Sequence, residues 1–203
     1  MTWSKSLDYN SLSSQGIVVQ NSYDLRADRG PSSFDTRQRI VVRGIYDLPF
    51  GGNRLLGNWQ IAAIQAQSGN PVNIVTTNGT LTGVANTLRP DVTGPVAKLG
   101  SVDRWFDTSR FMAVTRFGSL GRDVVIGPGF NNADFSITKR AQLREGLRLE
   151  FRIEVFDLFN HANLGQPGNV VGSPAFGRII NTRFPTGESG SSRQVQLGVK
   201  LMI

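Results

Sequence analysis

The residues best placed to do chemistry in this 203-residue chain are Arg148, Glu150, Arg152 and Glu154, four ionisable groups at every second position. Two carboxylates could act as the acid and nucleophile of a glycosidase, which holds them about 5 to 9.5 Å apart. On an extended strand Glu150 and Glu154 stand about 13 Å apart at ~3.3 Å per residue, out of that range. Glu150 with Asp157 or Asp134 across strands is the one acid pair left open to a hydrolase. The alternating sign favours the plainer reading, in which Arg148 and Arg152 pair with Glu150 and Glu154. The single histidine, His161, follows Asp157-Leu158-Phe159-Asn160 and has no companion for catalysis or for a histidine metal cluster. The absence of cysteine excludes a thiolate nucleophile, a thiolate metal site and a disulfide framework. The Gly-rich stretches have neither the strand-to-helix context nor the Lys of a phosphate loop. No catalytic, cofactor or metal residue is therefore expected, and the chain reads as non-enzymatic.

The elements that carry these groups follow a period of two. From Leu147 to Val155 every odd position is apolar and every even one charged, as a strand with two unlike faces requires. A helix aligning Leu143, Leu147, Phe151 and Val155 would throw Leu149 and Ile153 to its far side. Val195, Leu197, Val199, Leu201 and Ile203 repeat the pattern at the C-terminus, as do Ile40 to Leu48 and Ala133 to Ile137. Turn signals separate the runs at Pro49-Phe50-Gly51-Gly52-Asn53, Gly127-Pro128-Gly129, Arg144-Glu145-Gly146 and through 160–174. Helix signals are nearly absent. The expected fold is all-β, with loops rich in Gly, Asn, Ser and Thr at 8–36, 78–131 and 183–192.

Charge and hydropathy narrow the class. The 22 cations exceed the 15 acids by seven, but all except four are Arg, spread from Arg26 to Arg193 with acids between them. A nucleic-acid face clusters its cations on one element, so nucleic acid is not an expected partner. The first ten residues lack the apolar core of a secretory signal. No stretch approaches the ~18 apolar residues of a membrane-crossing helix.

Two all-β environments produce such alternation. A soluble sandwich turns its apolar face to a second sheet, and an outer-membrane barrel turns it to lipid. The terminal Gln196-Leu197-Gly198-Val199-Lys200-Leu201-Met202-Ile203 favours the barrel. Gln196, Gly198, Leu201 and Ile203 fit the polar, Gly, apolar, apolar spacing of a barrel-insertion signal, with Ile203 where an aromatic is usual. Such a signal is the last strand itself, pairing with the open edge of the barrel assembly machinery. Trp3, Trp59 and Trp105 fit either a membrane-interface girdle or a glycan-stacking platform.

Read in order, the segments resemble the C-terminal barrel of TonB-dependent outer-membrane receptors, in particular the Oar-like group with a carboxypeptidase-regulatory-like N-terminal domain found in Acidobacteria. The likeness rests on Thr2-Trp3-Ser4-Lys5-Ser6-Leu7-Asp8, the run Arg29 to Arg37, Tyr46-Asp47-Leu48-Pro49-Phe50-Gly51, and Trp59-Gln60-Ile61 leading to Gln67-Ser68-Gly69-Asn70-Pro71. It continues through Arg89-Pro90-Asp91, Trp105-Phe106-Asp107, Gly121-Arg122, Gly127 to Asn131, and Glu154 to His161. The resemblance implies an antiparallel up-and-down transmembrane β-barrel fragment spanning 1–203, with outer-membrane lipid and the assembly machinery as partners. It also implies that TonB is contacted only through a plug and N-terminal regions preceding Met1, so transport would not belong to this polypeptide alone. The chain then looks like a reading frame that begins inside a barrel strand.

With the C-terminus in the periplasm, 193–203 runs inward, 176–182 outward, 146–159 inward and 132–140 outward, which puts Gly127-Pro128-Gly129 at the periplasmic rim. From the other end 37–48 runs inward and 58–77 outward. An extra crossing is then needed between 78 and 131, with 111–117 as its candidate. About eight strands result, enough for a small closed barrel or for an open third of a large one. Ligand contact is expected through loops 78–104 and 183–192. The rival reading is a soluble β-sandwich binding module, such as one for glycans, and it turns on whether Val195, Leu197, Val199 and Leu201 meet a second sheet.

Overall fold

The computed structural model describes residues 1–11, 19–47, 59–61, 64–77, 81, 88–183 and 192–203. Its long strands form a single meander in sequence order. Thr2–Trp3 pairs with Gln38–Val42, which continues after an irregularity into Tyr46–Asp47. These pair with Ile64–Gln67 and Trp59–Ile61, which in turn pair with Phe130–Ala133 and Phe135–Arg144. Phe135–Arg144 pairs with Leu147–Phe156, and Leu147–Phe156 with the C-terminal Gln194–Met202. Every step is antiparallel, and no α-helix occurs among the described residues.

The sequence fixes this register through its two faces. Phe135, Val155 and Val195 stand in one row; Ile137, Ile153 and Leu197 in the next; Ala141, Leu149 and Leu201 in a third. A one-residue slip would bring charged side chains into all three rows, so the pairing is strongly specified. Leu147–Phe156 is ten residues long. That is about 30 Å of strand, or about 23 Å of height at a barrel tilt of ~40°, close to the ~25 Å apolar band of an outer-membrane barrel.

Among the described residues no second sheet covers the apolar face. Val195, Leu197, Val199 and Leu201 are 62, 74, 69 and 55 % exposed, and Ile40, Val42, Phe151 and Ile153 lie open with them. A soluble sandwich would bury this face, so the rival reading is not favoured.

The connections divide by length between the two ends of the sheet. At one end Glu145-Gly146 joins two strands in a tight hairpin beside a bulge, with Gly146 at φ 77°. The turn signal Pro49 to Asn53 lies outside the described residues. At the other end the long excursions after Trp3, Gln67 and Phe156 fold together into a cap. Its core is Val72, Ile74, Trp105, Phe106, Phe111, Leu120, Val125 and Ile179. Phe106, Phe111 and Phe176 meet edge to face, with ring centres 5.4 to 5.5 Å apart.

Several expectations about direction are corrected by this arrangement. Residues 176–182 do not cross the sheet: Phe176 and Thr182 form isolated bridges to Gly168 and Leu164 inside the cap. Phe111–Met112 pairs with Asp91–Val92 in the cap and Phe111 is buried there, so 111–117 is no crossing either. Leu147–Phe156 therefore neighbours the last strand directly and runs opposite to it, and both 147–156 and 135–144 have the reverse of their expected directions. Gly127-Pro128-Gly129 moves to the long-loop end, where a Cβ on Gly69 would come within 2.0 Å of the Gly127 carbonyl oxygen. The apolar run Phe176 to Ile180 resembles a strand because it buries Ile179 in the cap, and local pattern cannot separate the two uses.

Candidate functional site

Four places bring chemically capable groups together. On the face opposite the apolar rows, Arg140 Nε donates to Glu150 Oε2 at 2.8 Å and Arg152 Nη2 donates to Glu150 Oε1 at 3.1 Å. Arg152 Nη1 lies 3.7 Å from Glu154 Oε1, and Lys200 stands in register with Glu150. The alternating row thus forms a ladder in which Glu150 lies between two guanidinium groups. Arg148 is in register with Gln142 and Met202 and makes no ion pair among the described residues. Arg140, on the neighbouring strand, supplies the partner that in-strand spacing did not reveal.

The C-terminal set sits on the edge strand. Gln196 faces Glu154, Gly198 faces Arg152, and Leu201 faces Leu149 with its side chain exposed; Ile203 lies beyond the last pair, fully exposed. Gly198 leaves room beside the Arg152 side chain, whose Cβ lies 3.7 Å from where a Gly198 Cβ would stand.

The tryptophans do not share one role. Trp105 is buried in the cap core, donating Nε1–H to the Ile126 carbonyl at 2.8 Å with Lys98 over its ring, so it belongs to neither girdle nor platform. Trp3 is exposed on the edge strand. Trp59 opens its strand opposite Lys139 at the short-turn end. His161 is a turn residue: its N–H donates to Asp157 Oδ1 at 3.0 Å, with Asp157 and Asn160 at φ 49° and 52°. Asp157 and Asn163 are fully buried, and Asn163 exchanges hydrogen bonds with the Asn131 backbone, tying the 157–163 turn to the sheet.

The cap hides two arginines that sequence reading passed over. Arg89 pairs with Asp28, and its Nε–H and Nη2–H reach the carbonyls of Leu120 and Ala27 at 2.8 and 3.0 Å. Arg122 Nη1 lies 2.6 Å from Asp8 Oδ1, and its Nε lies 3.6 Å from Asp123. Gln20 bridges the system, accepting from the Arg89 N–H and donating to the Gly118 carbonyl. These buried charges are each met by a partner, as burial demands. Burial opposes the Asp8 carboxylate, but hydrogen bonds from Ser32, Arg122 and Ser11 outweigh it and hold its pKa below the usual value. Asp123 goes the other way. Burial pushes it up to about 6 against the pull of Arg122, and its Oδ1 has no hydrogen-bond partner among the described residues. The only sequence hint was that Arg-Pro-Asp and Gly-Arg-Asp sit in otherwise apolar surroundings.

Where the cap meets the sheet, a cavity of about 270 Å³ opens between Pro128, the Leu164-Gly165-Gln166 turn and Asn181-Thr182-Arg183. Arg183 lies over the Phe130 ring, 5.4 Å from its centre, and donates to Asn70 Oδ1. The expected ligand loops are thus represented by Arg183 and by 88–104; residues 78–80, 82–87 and 184–191 lie outside the described set.

A family model for an outer membrane beta barrel domain matches residues 1–196. The chain belongs to that family: it is an outer-membrane β-barrel protein. Neither the curated proteins nor the solved structures contain a match.

Proposed function

We propose that the chain is a segment of a TonB-dependent receptor barrel, non-enzymatic, which takes up a ligand in company with further strands and a plug. The observation that carries this reading is the contrast between the tight Glu145-Gly146 hairpin at one end of the meander and the long connections folded into a cap with its own core at the other. Outer-membrane barrels keep short turns in the periplasm and long loops outside, so the cap would face the medium and the Glu145-Gly146 hairpin the periplasm. The six strands of the meander among the described residues are too few to close a barrel around a lumen, since the smallest such barrels use about eight. Further strands at the Thr2–Trp3 and Gln194–Met202 edges would complete it, with lipid against the apolar rows and TonB engaged elsewhere.

Two measurements test this. The protein has no cysteine, so single-cysteine variants label cleanly: in intact cells Tyr23→Cys in the cap should react with a membrane-impermeant maleimide and Glu145→Cys should not. Equal labelling of both would overturn the orientation. Deleting this gene and deleting the energy-coupling TonB should give the same nutrient-specific growth defects, and a defect that TonB loss does not reproduce would overturn the uptake reading.

A further inference from the structure

We infer that the cavity at the junction of cap and sheet is a binding site for a compact oxyanion, a carboxylate or phosphate group, held by Arg183. The other arginines of this region fall into two kinds. Arg37, Arg89, Arg104, Arg110, Arg116, Arg122 and Arg178 each have a carboxylate within 4 Å. Arg26, Arg29 and Arg193 are exposed. Arg183 fits neither kind, because it is half-buried and has no carboxylate within 4 Å among the described residues.

Its neighbours are neutral: the Asn70 amide oxygen and the face of Phe130. A guanidinium carries five N–H donors in a planar fork suited to two oxygens of one anion. Asn70 accepts from one of these, and Arg183 lines the cavity. The amides of Gln166 and Asn181 line the same space. Burial draws the pKa of Arg183 down, the penalty that a bound anion would remove.

Size sets the class of ligand. At ~30 Å³ per water the cavity holds roughly nine waters, below the ~300 to 1,000 Å³ of sites that enclose drug-sized molecules. A phosphate, a small polycarboxylate, or the anionic end of something larger fits. The oxyanion could be a free solute or the phosphate of an outer-membrane lipid.

The test uses the full chain, purified in zwitterionic detergent and titrated calorimetrically with inorganic phosphate and with citrate. Lipid retained through purification is identified by mass spectrometry. Binding of either solute, weakened about tenfold or more in Arg183→Gln and only partly in Arg183→Lys, supports the site. Arg178→Gln, which breaks an exposed pair with Asp103, should bind as the parent does. Phosphate-bearing lipid retained by the parent and lost in Arg183→Gln supports the site with lipid as its occupant. Arg183→Lys keeps the charge and serves as the folded comparison if the Gln variant does not assemble. No binding of solute or lipid phosphate by folded parent protein, or equal binding by Arg183→Gln or Arg183→Lys and the parent, would overturn the inference. It stands apart from the uptake reading, which the growth comparison tests separately.

Discussion

Replacing Asp123 with asparagine should stabilise the cap at neutral pH and leave it unchanged in acid. The Asp123 carboxyl is 2 % exposed, is 3.6 Å from the Arg122 Nε, and has one oxygen without a hydrogen bond among the described residues. Its pKa rises from 3.8 in the unfolded chain to about 6 in the fold, mainly through burial. A raised carboxyl pKa means the folded state prefers the protonated form. The stability this gives is fully present below pH ~4 and is lost as pH climbs to about 6, after which the loss is constant. At 1.36 kcal/mol per pH unit, the loss is about 3 kcal/mol. Asparagine imitates the protonated form and tolerates the left-handed backbone at this position, φ 54°. The assay is hydrogen exchange, corrected for intrinsic rate, at the Leu120 and Thr76 amides, which bond to the Pro90 and Leu88 carbonyls within the cap. Asp123→Asn should slow their exchange by up to about a hundredfold at pH 7.5, with parent and variant converging near pH 4. Faster exchange in the variant at pH 7.5, or an advantage that does not depend on pH, would refute the reasoning.

Other predictions follow from the two faces and the cap. Leu197→Arg, near the middle of the bare apolar row, should cost about 2 to 4 kcal/mol of stability in the bilayer, while Gln196→Arg on the opposite face costs little; denaturant titration in lipid vesicles separates them. Phe106→Ala removes a ring packed edge to face against two others and should cost the cap about 3 to 5 kcal/mol. Limited proteolysis should then cut within 68–129 while the hairpin through Glu145 stays intact. Glu150→Gln sets Arg140 and Arg152 together without their shared counter-ion, so the protein should lose resistance to SDS on heating, most clearly at low salt, whereas Arg148→Gln should not.

The strands were legible because lipid and polar surroundings act on them residue by residue. Leu147 to Val155 and Val195 to Ile203 alternate strictly, and their register follows. The cap was not legible, since its core joins Val72 and Ile74 to Phe106, Leu120 and Ile179, positions as much as 107 residues apart with no common period. The errors in direction follow from this: Ile179 is apolar for the sake of the cap, and taking 176–182 as a crossing reverses two strands and then calls for a further crossing at 111–117, where Phe111 too belongs to the cap. Arg183 left no mark in the sequence, because its distinction, a setting with no carboxylate within 4 Å among the described residues, exists only in space. His161 was readable as a turn residue from the Asp157 to Asn160 run alone.

The hydrogen bonds of the cap also set an order of events. The 144–147 hairpin closes over two residues, but Arg122 reaches Asp8 across 114 positions, Arg183 reaches Asn70 across 113, and Gln20 reaches Gly118 across 98. Contacts that close long loops form late, once shorter ones have drawn their ends together. The meander supplies that tether by holding residues 3, 67, 130 and 156 along one rim. By loop length, the contact of Arg122 with Asp8 is therefore expected to form after the strand pairings that bring its ends together.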